Sequence, residues 1–201
     1  MNKEEWEKRY DDHDLPWDSG QPDPRLMALL ANWPRFSGKI LEIGCGTGTN
    51  AVWLAEQGFQ VTALDISSSA VAMAQQRSAK KGVECSFVAA DFLTCSLGEE
   101  PFSLIFDRGC FHSMAGMEER RNFVQQAASY LAPGGLWFSL IGNKDQVIPE
   151  GAVGPPRLSA AEICAVVEPA FEILRLESLF SYSPNQPAPL RFWQCLMRLR
   201  D

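Results

Sequence analysis

The sequence predicts a doubly wound α/β domain that finishes on an antiparallel strand, and three observations carry that prediction. Strand-like and helix-like segments alternate from residue 39 onward. The first strand-like run, "LEIGC", breaks into a glycine turn that opens a helix. The last two strand-like runs are joined by a Pro-rich stretch with no helix, which suits an antiparallel pair rather than a parallel crossover.

The elements follow in order. A polar, helix-like start leads into "DLPWDSGQPDPRL", dense in Pro, Gly and Asp and read as a structured loop; "RLMALLANW" then has helical apolar spacing. "KILEIGC" is a strand and "TNAVWLAEQG" a helix closed by Gly58; "QVTALDI" is a strand and "SSSAVAMAQQRSAKKG" a helix with serine caps, closed at Gly82. "VECSFVAAD" and "FSLIFDRG" are the third and fourth strands. "MEERRNFVQQAASYLAPGG" is a helix stopped by Pro-Gly-Gly, and it feeds the strand "GLWFSLIG". "NKDQVIPEGAVGPPR" has no periodicity and reads as a loop, "SAAEICAVVEP" as a short helix with a serine cap, and "FEILRLESLF" and "RFWQCLMRLR" as the final pair, separated by "SYSPNQPAP".

The 201 residues suit one domain with an ordinary core, at 46% hydrophobic and 21% charged. A formal charge of −7 and a pI near 4.9 argue against a general nucleic-acid binder, since no basic cluster exceeds Arg120-Arg121 or Lys80-Lys81. The charged start and the lack of a long apolar run give the expectation of a cytoplasmic protein with no membrane span. Six scattered cysteines without a C-x-x-C, and two histidines far apart, suggest neither a metal site nor a disulfide framework.

The turn "EIGCGTG" lies where such sheets bind ligands, beyond the carboxyl end of a strand. A dinucleotide fingerprint would be G-x-G-x-x-G; here Gly44, Gly46 and Gly48 are spaced G-x-G-x-G, and Thr49 stands at the third fingerprint position. Asp65 ends the second strand, where it would accept hydrogen bonds from a ribose diol. Asp91 ends the third, where it would take an adenine amine. A nicotinamide-dependent oxidoreductase is the rival on the same sheet.

"LEIGCGTG", "ALDIS" and "AADFL", in this order and spacing, resemble the first motifs of class I S-adenosylmethionine-dependent methyltransferases. The resemblance implies strand order 3-2-1-4-5-7-6 in a single domain over 1–201, with an N-terminal helical lid at 1–37 and a cofactor-binding core at 38–201. It implies that Glu42, Gly44, Cys45, Gly46 and Gly48 shape the methionine pocket and that Asp65 binds the ribose. Asp91 and Phe92 would hold the adenine, Ile66 would pack on its face, and Asp107 joins these cofactor contacts.

"PWDSGQPDPRL" together with "FDRGCFH" resembles the narrower thiopurine, thiol and halide group and its small bacterial relatives. In that group the early segment folds over the cofactor, so Trp17 would lie beside the methionine end. The implied acceptor is a small soft nucleophile: thiol, thiopurine, halide or chalcogen. Arg108 would steer an anionic acceptor, pair with the cofactor carboxylate, or pair with Asp18 or Asp107 to fix the lid. His112 is a candidate general base or a histidine satisfied at a helix start. Cys110 is read as packing, because direct methyl transfer needs no enzyme thiol. Arg157 is a second anion contact. A small-molecule N- or O-methyltransferase using His112 as base, and a non-catalytic cofactor-binding sensor, stay open. A monomer is compatible with everything in the sequence.

Overall fold

The β-branched and leucine-rich runs do form strands, and the serine- and glycine-flanked runs between them form helices. A computed structural model describes residues 1–32, 38–98, 101–147, 156–181 and 189–200. Its seven strands make one sheet of order β3-β2-β1-β4-β5-β7-β6, as the resemblance implied. The residues form two compact units, Met1–Gly98 and Glu99–Asp201.

In the first unit, β1 (Lys39–Ile43) pairs in parallel with β2 (Gln60–Asp65), and β2 in parallel with β3 (Ser86–Ala89). Ile40, Leu41 and Ile43 are fully buried, the expected state of a strand covered on both faces. The third strand is shorter than the sequence suggested. Asp91 lies two residues beyond it, in a turn where its carboxylate accepts the Leu93 amide at 2.9 Å. Short polar side chains favour such turns over a ladder.

Helix α3 (Thr49–Glu56) starts from Gly48 at φ 76°, and α4 (Ser68–Lys81) runs from a Ser67 side-chain cap to Gly82 at φ 68°. Ahead of the sheet, α1 (Lys3–Asp11) is opened by an Asn2–Glu5 capping box and α2 (Pro24–Ala31) by Asp23 and a proline at its first position. Residues 33–37 of the expected lid segment lie outside the described residues.

In the second unit, β4 (Phe102–Arg108) and β5 (Leu131–Gly142) are parallel, while β7 (Leu190–Leu199) is antiparallel to both β5 and β6 (Phe171–Ser181). The helix expected to run to Pro-Gly-Gly, α5 (Gly116–Tyr130), ends earlier, because Leu131 is already extended. Pro133 disfavours helical backbone in the residue before it, so the chain leaves the helix ahead of the proline. Helix α6 (Ala160–Val167) has the predicted Ser159 cap, completed by Glu162 into a capping box. Trp137, fully buried, stands among Phe111, Phe123 and Phe171 at centroid distances of 5.2, 5.6 and 5.4 Å. That aromatic cluster fixes the segment after β4 against β5. Much of the 143–157 loop, and residues 182–188 of the Pro-rich connection, lie outside the described residues.

Candidate functional site

The glycine turn of the first unit is built around one carboxylate. Asp65, 5% exposed, accepts the Gly46 amide on Oδ2 at 2.9 Å and the Ser67 amide on Oδ1 at 3.0 Å. It therefore ties the turn after β1 to the start of α4. Burial raises its pKa, opposed by those same amide hydrogen bonds. Gly44, Gly46 and Gly48 have φ of 70°, 54° and 76°, a region that side chains with a Cβ avoid. A Cβ on Gly48 would lie 2.6 Å from the Ala74 Cβ, and one on Gly46 would lie 3.1 Å from the Tyr10 hydroxyl oxygen. Cys45 is buried between them, its amide donating to Leu64 O at 2.9 Å. Glu42, also buried, accepts from Asn50 Nδ2 at 3.1 Å, and Asn50 Oδ1 accepts the Asp23 amide at 2.8 Å. Phe92 is buried, Ile66 half-buried and Asp91 exposed.

The N-terminal segment is fastened to this turn by polar contacts that the sequence did not reveal. Asp18 Oδ2 accepts from the Thr47 hydroxyl at 2.6 Å and lies 3.9 Å from the Arg77 guanidinium. Glu7 accepts from the Ser69 amide and hydroxyl, both at 3.1 Å, and from the Ser68 hydroxyl at 2.5 Å; Asp11 accepts from the Ser69 hydroxyl at 2.6 Å. Two carboxylates thus cap α4 from outside it, where the helix dipole favours negative charge. Trp17 packs edge-on to Trp6 and Tyr10, at 5.6 and 6.2 Å, with the Arg9 guanidinium 4.4 Å above its ring. Asp18 engages Thr47 and Arg77, so the expected pairing that would fix the lid draws on an arginine of α4. Tyr10, Glu7 and Arg77 escaped sequence reasoning because they belong to no motif; the three consecutive serines at the start of α4 were the available signal.

These residues fit S-adenosylmethionine on a structural ground. The turn after β1 is left-handed glycine backbone packed closely on Tyr10 at Gly46 and too closely on Ala74 to admit a side chain at Gly48, and the strand-end carboxylate beside it is an acceptor of the kind a ribose diol requires. Glu42, Gly44, Gly46, Gly48, Asp65, Ile66, Asp91 and Phe92 all come together around the carboxyl ends of β1, β2 and β3.

The second unit holds the other candidates. Asp107 is fully buried; its carboxylate accepts the Phe111 amide at 3.0 Å and the Trp137 indole N–H at 2.9 Å. Burial pushes its pKa up to about 6. The carboxylate expected to touch the cofactor is thus committed to anchoring the turn after β4. Arg108, the last residue of β4, is exposed. His112 lies on the 3-10 turn Phe111–Ser113, and its Nδ1 accepts the Gly142 amide at 2.7 Å. A neutral ring that accepts on Nδ1 carries its proton on Nε2. Burial, with the charges of Arg120 and Arg157 adding to it, lowers the His112 pKa to about 4. Arg157 is brought to the same place: a Cβ on Gly142 would lie 3.0 Å from the Arg157 Cγ and 3.6 Å from the His112 Cε1. Cys110 is half-buried. No cluster suited to a metal ion occurs among the described residues.

Comparisons with known proteins place this geometry in a family. A methyltransferase-domain family model matches residues 40–135. The chain is 34% identical over 180 residues to probable thiol methyltransferase 2 of Arabidopsis thaliana, covering 85% of this chain and 75% of that protein. It is 31% identical over 153 residues to the 2-heptyl-1-hydroxyquinolin-4(1H)-one methyltransferase of Mycobacteroides abscessus, covering 76% of this chain and 66% of that protein. A solved structure of Burkholderia thailandensis 1,6-didemethyltoxoflavin-N1-methyltransferase with bound S-adenosylhomocysteine matches with a TM-score of 0.78 at 19% identity, over 99% of this chain and 87% of that one. With its strand order, its glycine cradle and a thiol methyltransferase among its relatives, the chain belongs to the class I S-adenosylmethionine-dependent methyltransferases.

Proposed function

We propose that this protein methylates a small soft nucleophile, a thiol before a thiopurine, halide or chalcogen, and that residues 1–201 act as one methyltransferase domain. The observation that carries this reading is the state of His112. Its Nδ1 lone pair is engaged by the Gly142 amide and its pKa is held near 4, so the imidazole has no basic nitrogen to offer. An acceptor that needs no base at neutral pH suits such a site, and a thiol of pKa ~8.5 is already partly ionised there. The kinship with a thiol methyltransferase supports the same choice.

When bound, S-adenosylmethionine supplies a methyl group on an electrophilic sulfonium, so the protein's task is to bind and orient rather than to activate. Gly44, Gly46 and Gly48 offer bare backbone to the methionine portion, Asp65 to the ribose, and Asp91 with Phe92 to the adenine. Trp17, held among Trp6, Tyr10 and Arg9, belongs to the segment that shields this cradle from water. Arg108 and Arg157 contribute positive charge toward the acceptor.

The second reading, an N- or O-methyltransferase of a small heteroaromatic compound, draws on the relative that acts on a hydroxyquinolone. Transfer of label from S-adenosylmethionine into a panel of aliphatic and aromatic thiols, a thiopurine, iodide, phenols, amines and a hydroxyquinolone separates the two. Label in thiols or iodide supports the soft-acceptor reading; label confined to amines, phenols or the hydroxyquinolone overturns it. No label, with S-adenosylhomocysteine still bound, points to a sensor protein.

A further inference from the structure

Among the described residues, three hydrogen-donating groups of the second unit lack a partner, on His112, Arg120 and Arg157. His112 is only 7% exposed, and its Nε2, which carries the ring proton, has no hydrogen-bond partner among the described residues. Arg120, on the first turns of α5, has a fully buried Nε without a partner. Arg157, just ahead of α6, makes neither an ion pair nor a hydrogen bond with any described residue, and its Cγ lies against Gly142 beside the imidazole. The positive charges of both arginines, which come from different elements, disfavour a protonated His112 ring.

On the same elements Glu118 is exposed, and three other carboxylates are committed elsewhere. Asp107 is held by Phe111 and Trp137, Glu119 accepts the Ala115 amide at 2.7 Å, and Glu162 is bound by Lys144 and by its own cap. Among the described residues Arg120 Nε is buried with no partner, and such a donor is costly to leave unmet unless an anion completes the set.

We propose that the Nε2–H of His112 and the guanidinium groups of Arg120 and Arg157 form one anion-binding subsite, and that the methyl acceptor docks there already ionised, as a thiolate or comparable soft monoanion. This rests on the soft-acceptor reading and gives His112 the role of a positioning hydrogen-bond donor in place of a base. Arginine and a neutral imidazole N–H suit this task, since both bind a diffuse anion without taking its proton.

The chain has two histidines, so protein labelled with ¹⁵N-histidine reports His112 directly, with the exposed His13 as an internal control. Thiocyanate is the probe, with chloride at matched ionic strength as reference. The expected result is an Nε2-protonated His112 whose signal shifts saturably with thiocyanate while His13 stays still. Arg120→Gln and Arg157→Gln should each weaken the apparent affinity ten-fold or more, and His112→Gln should retain methyl transfer better than His112→Leu, because Gln keeps both an acceptor for Gly142 and a donor. A ring protonated on Nδ1, a shift that chloride reproduces, or one that neither arginine variant weakens overturns the subsite. The titration needs no turnover, so the two readings fail separately. A saturable shift without methylated soft acceptors leaves the subsite and removes the acceptor assignment. Methylated thiols without a shift do the reverse.

Discussion

Asp65 Oδ2 receives the Gly46 amide across a separation of 19 residues, at 2.9 Å, and Oδ1 of the same carboxylate receives the Ser67 amide at 3.0 Å. One side chain therefore shapes the glycine turn and starts α4. Asp65→Ala should lower unfolding stability by about 2–4 kcal/mol, since two amides lose their acceptor, and should also abolish S-adenosylhomocysteine binding. Asp65→Asn should keep part of the stability and little of the binding. Calorimetric affinity for S-adenosylhomocysteine within three-fold of wild type in a folded Asp65→Ala protein would remove this residue from the cofactor site.

The glycines of the turn should separate stability from binding. Gly48→Ala puts a methyl 2.6 Å from the Ala74 Cβ and 3.0 Å from its Cα, on backbone at φ 76°. The expected loss is roughly 2–5 kcal/mol, the left-handed conformation and the overlap acting together. Gly46→Ala meets only the end of the Tyr10 side chain, which can turn aside. Its stability loss should be nearer ~1–2 kcal/mol, while its affinity for S-adenosylhomocysteine falls more than that stability loss suggests. Urea unfolding alongside calorimetric binding reads both.

Asp107 and His112 act on acid stability with opposite signs. His112 has its pKa lowered from 6.5 to about 4, so the folded protein binds fewer protons than the unfolded chain across that window, and stability falls as pH falls through it. Asp107 has its pKa raised from 3.8 to about 6, so the folded protein binds more protons there, and stability rises as pH falls. Each effect amounts to about 3 kcal/mol over its full range. The two therefore largely offset one another, and wild type should change little between pH 7 and pH 5. His112→Gln should be more stable at pH 5 than at pH 7, and Asp107→Asn less stable. Denaturant midpoints at the two pH values check the signs.

The clamp of α1 on α4 should open without global unfolding. Glu7 has its pKa lowered to about 2, chiefly by the Ser68 hydroxyl, with further hydrogen bonds from Ser67 and Ser69. Its contribution is present above the ordinary carboxylate range and disappears as pH falls toward 2. Glu7→Gln should speed amide exchange over residues 3–11 by several-fold, while global stability changes by less than ~1 kcal/mol. Equal exchange in the two proteins would show that Trp6, Tyr10 and Trp17 hold the segment by packing alone.

The sequence by itself determined the alternation of strands and helices, the antiparallel end and the cofactor class. These depend on local properties: side-chain periodicity, caps such as Ser67, Ser159 and Gly82, and a glycine spacing that only a tight turn requires. Asp65 was legible for the same reason, as a carboxylate at the end of an apolar run. What His112 and Asp107 do was decided by tertiary structure. Each stands in a local pattern that admits a catalytic or cofactor role, yet Asp107 is held by Trp137, 30 residues away, and His112 by Gly142, also 30 residues away. Arg120 shows the same limit, since along the helix it is one charge among several and only the fold buries its Nε without a partner and brings its charge to bear on His112. Hydrogen-bond partners and burial are properties of segments brought together by packing, and no local pattern encodes them.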